Sequence, residues 1–83
     1  MATILIVEDE KDLVQVLMER LESYGYDVDA AFDALQAMMK LNKSKPDLVL
    51  LDIAMPAGGG LQVLRNIRMN VKWFSLPVII MTG

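Results

Sequence analysis

The sequence predicts an α/β fold, a doubly wound parallel sheet with helices on both faces. Three observations predict it. Short apolar runs, Thr3 to Val7, Leu48 to Leu51 and Val78 to Met81, are rich in branched residues and read as buried strands. Between them lie stretches with apolar residues at i, i+3 and i+4, the spacing of helices that bury one stripe. Each strand run gives way to acidic, proline-bearing or glycine-rich sequence, which returns the chain to a turn. Strands alternating with helices imply parallel pairing through right-handed crossovers.

The first strand, Thr3-Ile4-Leu5-Ile6-Val7, ends abruptly in Glu8-Asp9-Glu10. Lys11 to Tyr24 carries Leu13, Val14, Leu17, Met18 and Leu21 on one helical stripe, and Gly25 supplies the stop. Tyr26 to Ala30 alternates polar and apolar residues, as expected of a short strand at a sheet edge. Asp33 is placed to N-cap a helix over Ala34 to Leu41, and Asn42 to Pro46 reads as the loop that follows. The strand beginning at Leu48 delivers Asp52 to its end, where Met55-Pro56-Ala57-Gly58-Gly59-Gly60 forms a turn. Leu61 to Asn70 then places Leu61, Leu64 and Ile67 on one stripe, with Arg65 and Arg68 on the wetter side. After the connection Val71 to Ser75, Pro77 opens the last strand, and Thr82-Gly83 follow it. With no repeat, linker or low-complexity segment, residues 1–83 are expected to form one domain.

Composition narrows the function classes. An apolar share of 54%, before five glycines are counted, is high for 83 residues, since roughly 45–50% including glycine is typical. Apolar surface is therefore expected to be exposed or shared with a partner. A net charge of −3 with eight scattered Lys and Arg argues against nucleic-acid binding by this segment. Without cysteine there is no disulfide framework and no thiolate metal site. No apolar run approaches the ~18 residues of a membrane span, and no signal-like start is present, so a cytoplasmic location is expected. Histidine is absent as well, which removes the commonest general base and phospho-carrier.

The chemistry lies where strands end. Glu8 and Asp9 follow the first strand, Asp52 the third and Thr82 the fourth. In a doubly wound sheet these ends share the carboxyl edge, and in the order 2-1-3-4 the first and third strands are neighbours. Three carboxylates then converge and repel one another, for which a hard divalent cation is the usual remedy. A carboxylate beside Mg²⁺ can act as a nucleophile toward phosphorus and form an aspartyl phosphate, with Thr82 offering its hydroxyl to a phosphoryl oxygen. Plainer roles stand beside these: Glu8 and Asp9 as caps of the first helix, Asp52 as the start of a turn, Thr82 as an ordinary strand-end residue.

Ile4-Leu5-Ile6-Val7-Glu8-Asp9-Glu10, Pro46-Asp47-Leu48-Val49-Leu50-Leu51-Asp52-Ile53-Ala54-Met55-Pro56 and Leu76-Pro77-Val78-Ile79-Ile80-Met81-Thr82-Gly83 together resemble the receiver domain of two-component response regulators. The resemblance covers the whole chain, in order and spacing. It implies a flavodoxin-like fold and a phosphoacceptor rather than a turnover enzyme. Asp52 would take a phosphoryl group from a sensor histidine kinase or phosphotransfer protein. Asp9, Asp52 and the backbone carbonyl of Ala54 would bind Mg²⁺, Glu8 would assist through water, and Thr82 would be the switch hydroxyl. A phosphatase of the haloacid dehalogenase type also places a nucleophilic Asp after a buried strand, but it needs a second Asp where this chain has Ala54.

Two departures from the family pattern carry expectations of their own. The residue before the glycine that opens the third helix is often Asp or Asn, whereas Ala57-Gly58-Gly59-Gly60 suggests a less ordered loop. The family also continues with a fourth helix, a fifth strand ending in a lysine that pairs with the phosphoryl group, and a fifth helix. The chain therefore resembles a receiver truncated after its switch threonine, in which phosphorylation is slow or absent. Val78 to Met81 is then a bare edge, and one face of the neighbouring strands, including half of Ile4, Ile6, Leu48 and Leu50, is uncovered. A homodimer through that strand and face is the expected repair. The competing class is a fragment that is not phosphorylated and serves as a self-associating interaction module.

Overall fold

The branched apolar runs become four parallel strands in the order β2-β1-β3-β4. A computed structural model describes residues 1–81 of the chain. In it β1 (Thr3–Val7) is followed by α1 (Lys11–Ser23), β2 (Asp27–Ala31), α2 (Ala34–Ser44) and β3 (Leu48–Asp52), then by a short 3₁₀ turn (Pro56–Gly58), α3 (Gly59–Arg68) and β4 (Val78–Met81). The order expected from the sequence is the order found. Successive side chains of a strand point to opposite faces. Leu5 and Val7 of β1 and Val49 and Leu51 of β3 thus join Ala37, Leu41, Val63 and Ile67 of α2 and α3 in the main core.

Where the structure departs from the sequence expectation, tertiary contacts supply the reason. The helix expected to end at Leu41 runs on to Ser44, with Lys45 closing it in the left-handed conformation at φ 48°. The added turn lets Ser44 Oγ donate to Asp29 Oδ2 at 2.6 Å, beside Lys40 Nζ, which donates to Asp29 Oδ1 at 2.8 Å. Although partial burial works against it, the bonds from Lys40, Ser44 and the Ala30 N–H hold the Asp29 carboxyl below its usual range. Polar composition had marked Asn42 to Ser44 as loop; a partner on β2 keeps them helical. At the other end, Asp33 caps α2 as expected, its side chain accepting from the Gln36 N–H at 2.8 Å.

Two burial expectations need correction. On the expected stripe of α1 only Val14 is buried, and Leu13 is 40% exposed. The face of the sheet on that side is nevertheless not bare along β1. Ile4 and Ile6 of β1 are 3% and 0% exposed, whereas Leu48 and Leu50 of β3 are half-buried. Beyond α3 the arginine expected on the wet side is occupied: Arg68 donates to the carbonyls of Phe74 and Leu76 at 3.0 and 2.7 Å. It thereby ties down the connection into β4.

Candidate functional site

The register of the sheet sets the site. Val7 pairs with Leu51, so the next residues in each strand direction, Glu8 and Asp52, emerge side by side at the carboxyl edge. Carboxylate oxygens of Glu8, Asp9 and Asp52 all lie within 4.8 Å of one another. Two of the three are buried, Glu8 at 5% and Asp52 at 8% exposure, while Asp9 opens to solvent. Local hydrogen bonds hold them. Asp52 Oδ1 accepts the Ala54 N–H at 2.8 Å, which fixes the plane of the carboxylate, and Glu8 Oε2 accepts the Glu10 N–H at 3.0 Å. Glu8 is placed from behind by its own N–H, which donates to the Ala31 carbonyl at 3.0 Å.

Charge is unbalanced here. The one ion pair among the described residues joins Lys40 to Asp29, so no cationic side chain neutralises the triad. Burial pushes the Glu8 carboxyl up to about 6; the Glu10 N–H opposes this, and Asp9 and Asp52 add to the rise. An acid whose pKa is higher folded than unfolded costs the native state free energy once it ionises. The metal-free protein should therefore lose stability as pH rises from about 4.5 to about 6. A cation bound at the triad reverses that trend, because its affinity falls as Glu8 protonates. Thermal midpoints across pH 4–7, with Mg²⁺ and with EDTA, check both slopes; parallel curves would contradict the coupling.

The segment after Asp52 forms a short 3₁₀ turn that runs into α3. Ala57 and Gly58 take left-handed φ values of 58° and 69°, and Gly59 already opens α3. Of the sequence-derived site residues, Glu8, Asp9 and Asp52 are brought together, and Ala54 is tied to Asp52 through its N–H. Thr82 lies outside the described residues. Met81, just before it, pairs with Asp52 in the sheet. The donor set suits Mg²⁺, a hard ion bound by one or two carboxylates, a carbonyl and waters. Composition could not reveal that the Glu8 carboxyl is pushed up; that follows from its burial.

An open parallel sheet with an acidic cluster outside its carboxyl edge defines a class of ligand-binding α/β domains. The model of the response regulator receiver domain matches residues 4–83 of this chain, so the chain belongs to that family. Its acidic triad corresponds to the family's phosphorylation and Mg²⁺ site. Solved structures agree. The N-terminal domain of a response regulator receiver protein from Methanoculleus marisnigri JR1 is 36% identical, with a TM-score of 0.91 over 96% of this chain and 65% of that one. The signal receiver domain of a DNA-binding response regulator from Colwellia psychrerythraea 34H is 30% identical, with a TM-score of 0.90 over 100% and 69%. Chemotaxis protein CheY4 of Vibrio cholerae is 29% identical, with a TM-score of 0.89 over 96% and 67%. The chain spans about two thirds of the length of these relatives. No helix among its described residues is long and apolar enough to cross a membrane.

Proposed function

We propose that Asp52 is the phosphoacceptor of a cytoplasmic two-component system, taking its phosphoryl group from a phosphohistidine of a sensor kinase or phosphotransfer protein. The convergence of three carboxylates within 4.8 Å, with no cationic side chain paired to them among the described residues, carries this reading. Asp9, Asp52 and the Ala54 carbonyl would hold Mg²⁺, with Glu8 acting through water. Bound there, the cation would neutralise charge that develops on the transferring phosphoryl oxygens. The chain's own part is positioning. One Asp52 oxygen, its plane set by the Ala54 N–H, attacks phosphorus; the P–N bond breaks, and its electron pair returns to the donor imidazole, which picks up a proton. Thr82, one residue beyond the Met81–Asp52 pair, would present its hydroxyl to a phosphoryl oxygen.

Mg²⁺ alone tests the site. At ten times Kd it should stabilise the fold by about 1.4 kcal/mol, which is several degrees of midpoint for a chain this size. Equal midpoints in Mg²⁺ and EDTA would contradict it.

A specific observation favours a second reading for the isolated chain. Among the described residues β4 pairs only with β3, and its Ile79 and Ile80 are 52% and 40% exposed. We infer that two copies pair through this strand and the half-buried Leu48 and Leu50 beside it. Light scattering on dilute protein should report a dimer that Ile79→Lys dissociates. A monodisperse 9.3 kDa species would refute it.

A further inference from the structure

Three consecutive glycines follow the Asp52 turn, and the structure gives each a different surrounding. Gly58 takes φ +69°, and a Cβ built on it would meet open space; its role is conformational. Gly59 is helical, and a Cβ there would touch Met55 Cε at 3.5 Å and Ala34 Cβ at 3.9 Å, ordinary contacts. Gly60 differs. A Cβ on it would overlap the Asp52 carbonyl oxygen and lie 2.7 Å from Ile53 Cα and 2.9 Å from the Asp52 carbonyl carbon. All three are backbone atoms of the strand end and turn that carry the reactive carboxylate, so no side-chain rotation relieves the overlap.

We propose that Gly60 is a positioning residue for the Asp52 site. Lacking a Cβ, it lets the first turn of α3 rest directly on the Asp52 peptide. That contact sets where the Asp52-Ile53-Ala54 turn lies against Glu8 and Asp9. The 2.8 Å bond from the Ala54 N–H to Asp52 Oδ1 belongs to the same turn, so a displacement of its backbone reaches both Asp52 and the Ala54 carbonyl. Between that turn and Gly60 the chain passes through the left-handed residues Ala57 and Gly58. The inference rests on the metal reading of the triad for its functional consequence, and on the backbone contact alone for its geometry.

The test compares Gly60→Ala with Gly59→Ala, its neighbour on the same helix, and with Val63→Ala, a cavity variant in the core contact of α3. Val63 is fully buried and belongs to the main core cluster. Each protein is titrated with Mg²⁺ alone, followed by thermal midpoint, and the ¹⁵N–¹H signal of Ala54 is recorded without metal. Gly60→Ala is expected to weaken Mg²⁺ at least tenfold and to move the Ala54 signal. Gly59→Ala and Val63→Ala should keep wild-type affinity and the wild-type Ala54 signal, although Val63→Ala lowers the metal-free midpoint. Wild-type Mg²⁺ affinity in Gly60→Ala would overturn the proposal. So would equal loss in Val63→Ala, which would make the effect one of general stability, and so would a Gly60→Ala chain with no cooperative unfolding. A wild type that binds no Mg²⁺ would contradict the metal reading, and the Ala54 signal would then decide the positioning role by itself.

Discussion

Asp52→Asn should abolish phosphoryl uptake and the stabilising effect of Mg²⁺, while raising the thermal midpoint of the metal-free protein. The three effects have one source. Asn keeps a carbonyl oxygen that can accept the Ala54 N–H, so the turn that Asp52 closes at 2.8 Å survives. What is lost is the negative charge: the nucleophile toward phosphorus and a ligand for a hard cation go with it. What is relieved is repulsion. Asp52 is one of the groups that raise the Glu8 carboxyl toward about 6, so in its absence Glu8 ionises at lower pH. A destabilised metal-free variant would show that the Asp52 charge is compensated by a partner and would contradict the electrostatic account of the site.

Leu51→Ala should remove a large part of the stability of the fold. Leu51 is fully buried in the cluster of β1, β3, α2 and α3. A buried Leu→Ala change costs roughly 2–5 kcal/mol. At roughly 0.05–0.15 kcal/mol per residue, a chain of this length has on the order of 4–12 kcal/mol in total. Unfolding in urea should therefore show a much lower midpoint with an unchanged slope. Leu35→Ala is the contrast, since Leu35 is 72% exposed on α2, and such a surface change should stay within about 0.5 kcal/mol. Comparable losses in the two variants would contradict the assignment of the core.

The parts of the structure that the sequence made legible are those specified locally. β1 and β4 begin and end where branched runs meet acidic or proline-bearing sequence, and both match the expected bounds, Thr3–Val7 and Val78–Met81. Alternation of strands and helices implied parallel pairing, and the order 2-1-3-4 of the fold that the chain resembles placed Glu8 and Asp9 beside Asp52 before any distance was known. Elements decided by distant contacts were not legible. The last turn of α2 depends on Asp29 of β2, 15 residues from Ser44. α3 begins at Gly59 rather than Leu61 because its first turn packs on the Asp52 peptide, although glycine disfavours helix. The stripe on α1 predicted burial that the described residues do not supply, since periodicity states which side is apolar and not what covers it.

The central claim is that the triad makes Asp52 a metal-dependent phosphoacceptor. A mass spectrum taken through a time course with acetyl phosphate and Mg²⁺ tests it most directly. The account predicts one phosphoryl group per chain, located on the peptide that contains Asp52, absent with EDTA and absent in Asp52→Asn. No phosphorylated species at any time, or phosphorylation that persists in EDTA or lies on another residue, would contradict it.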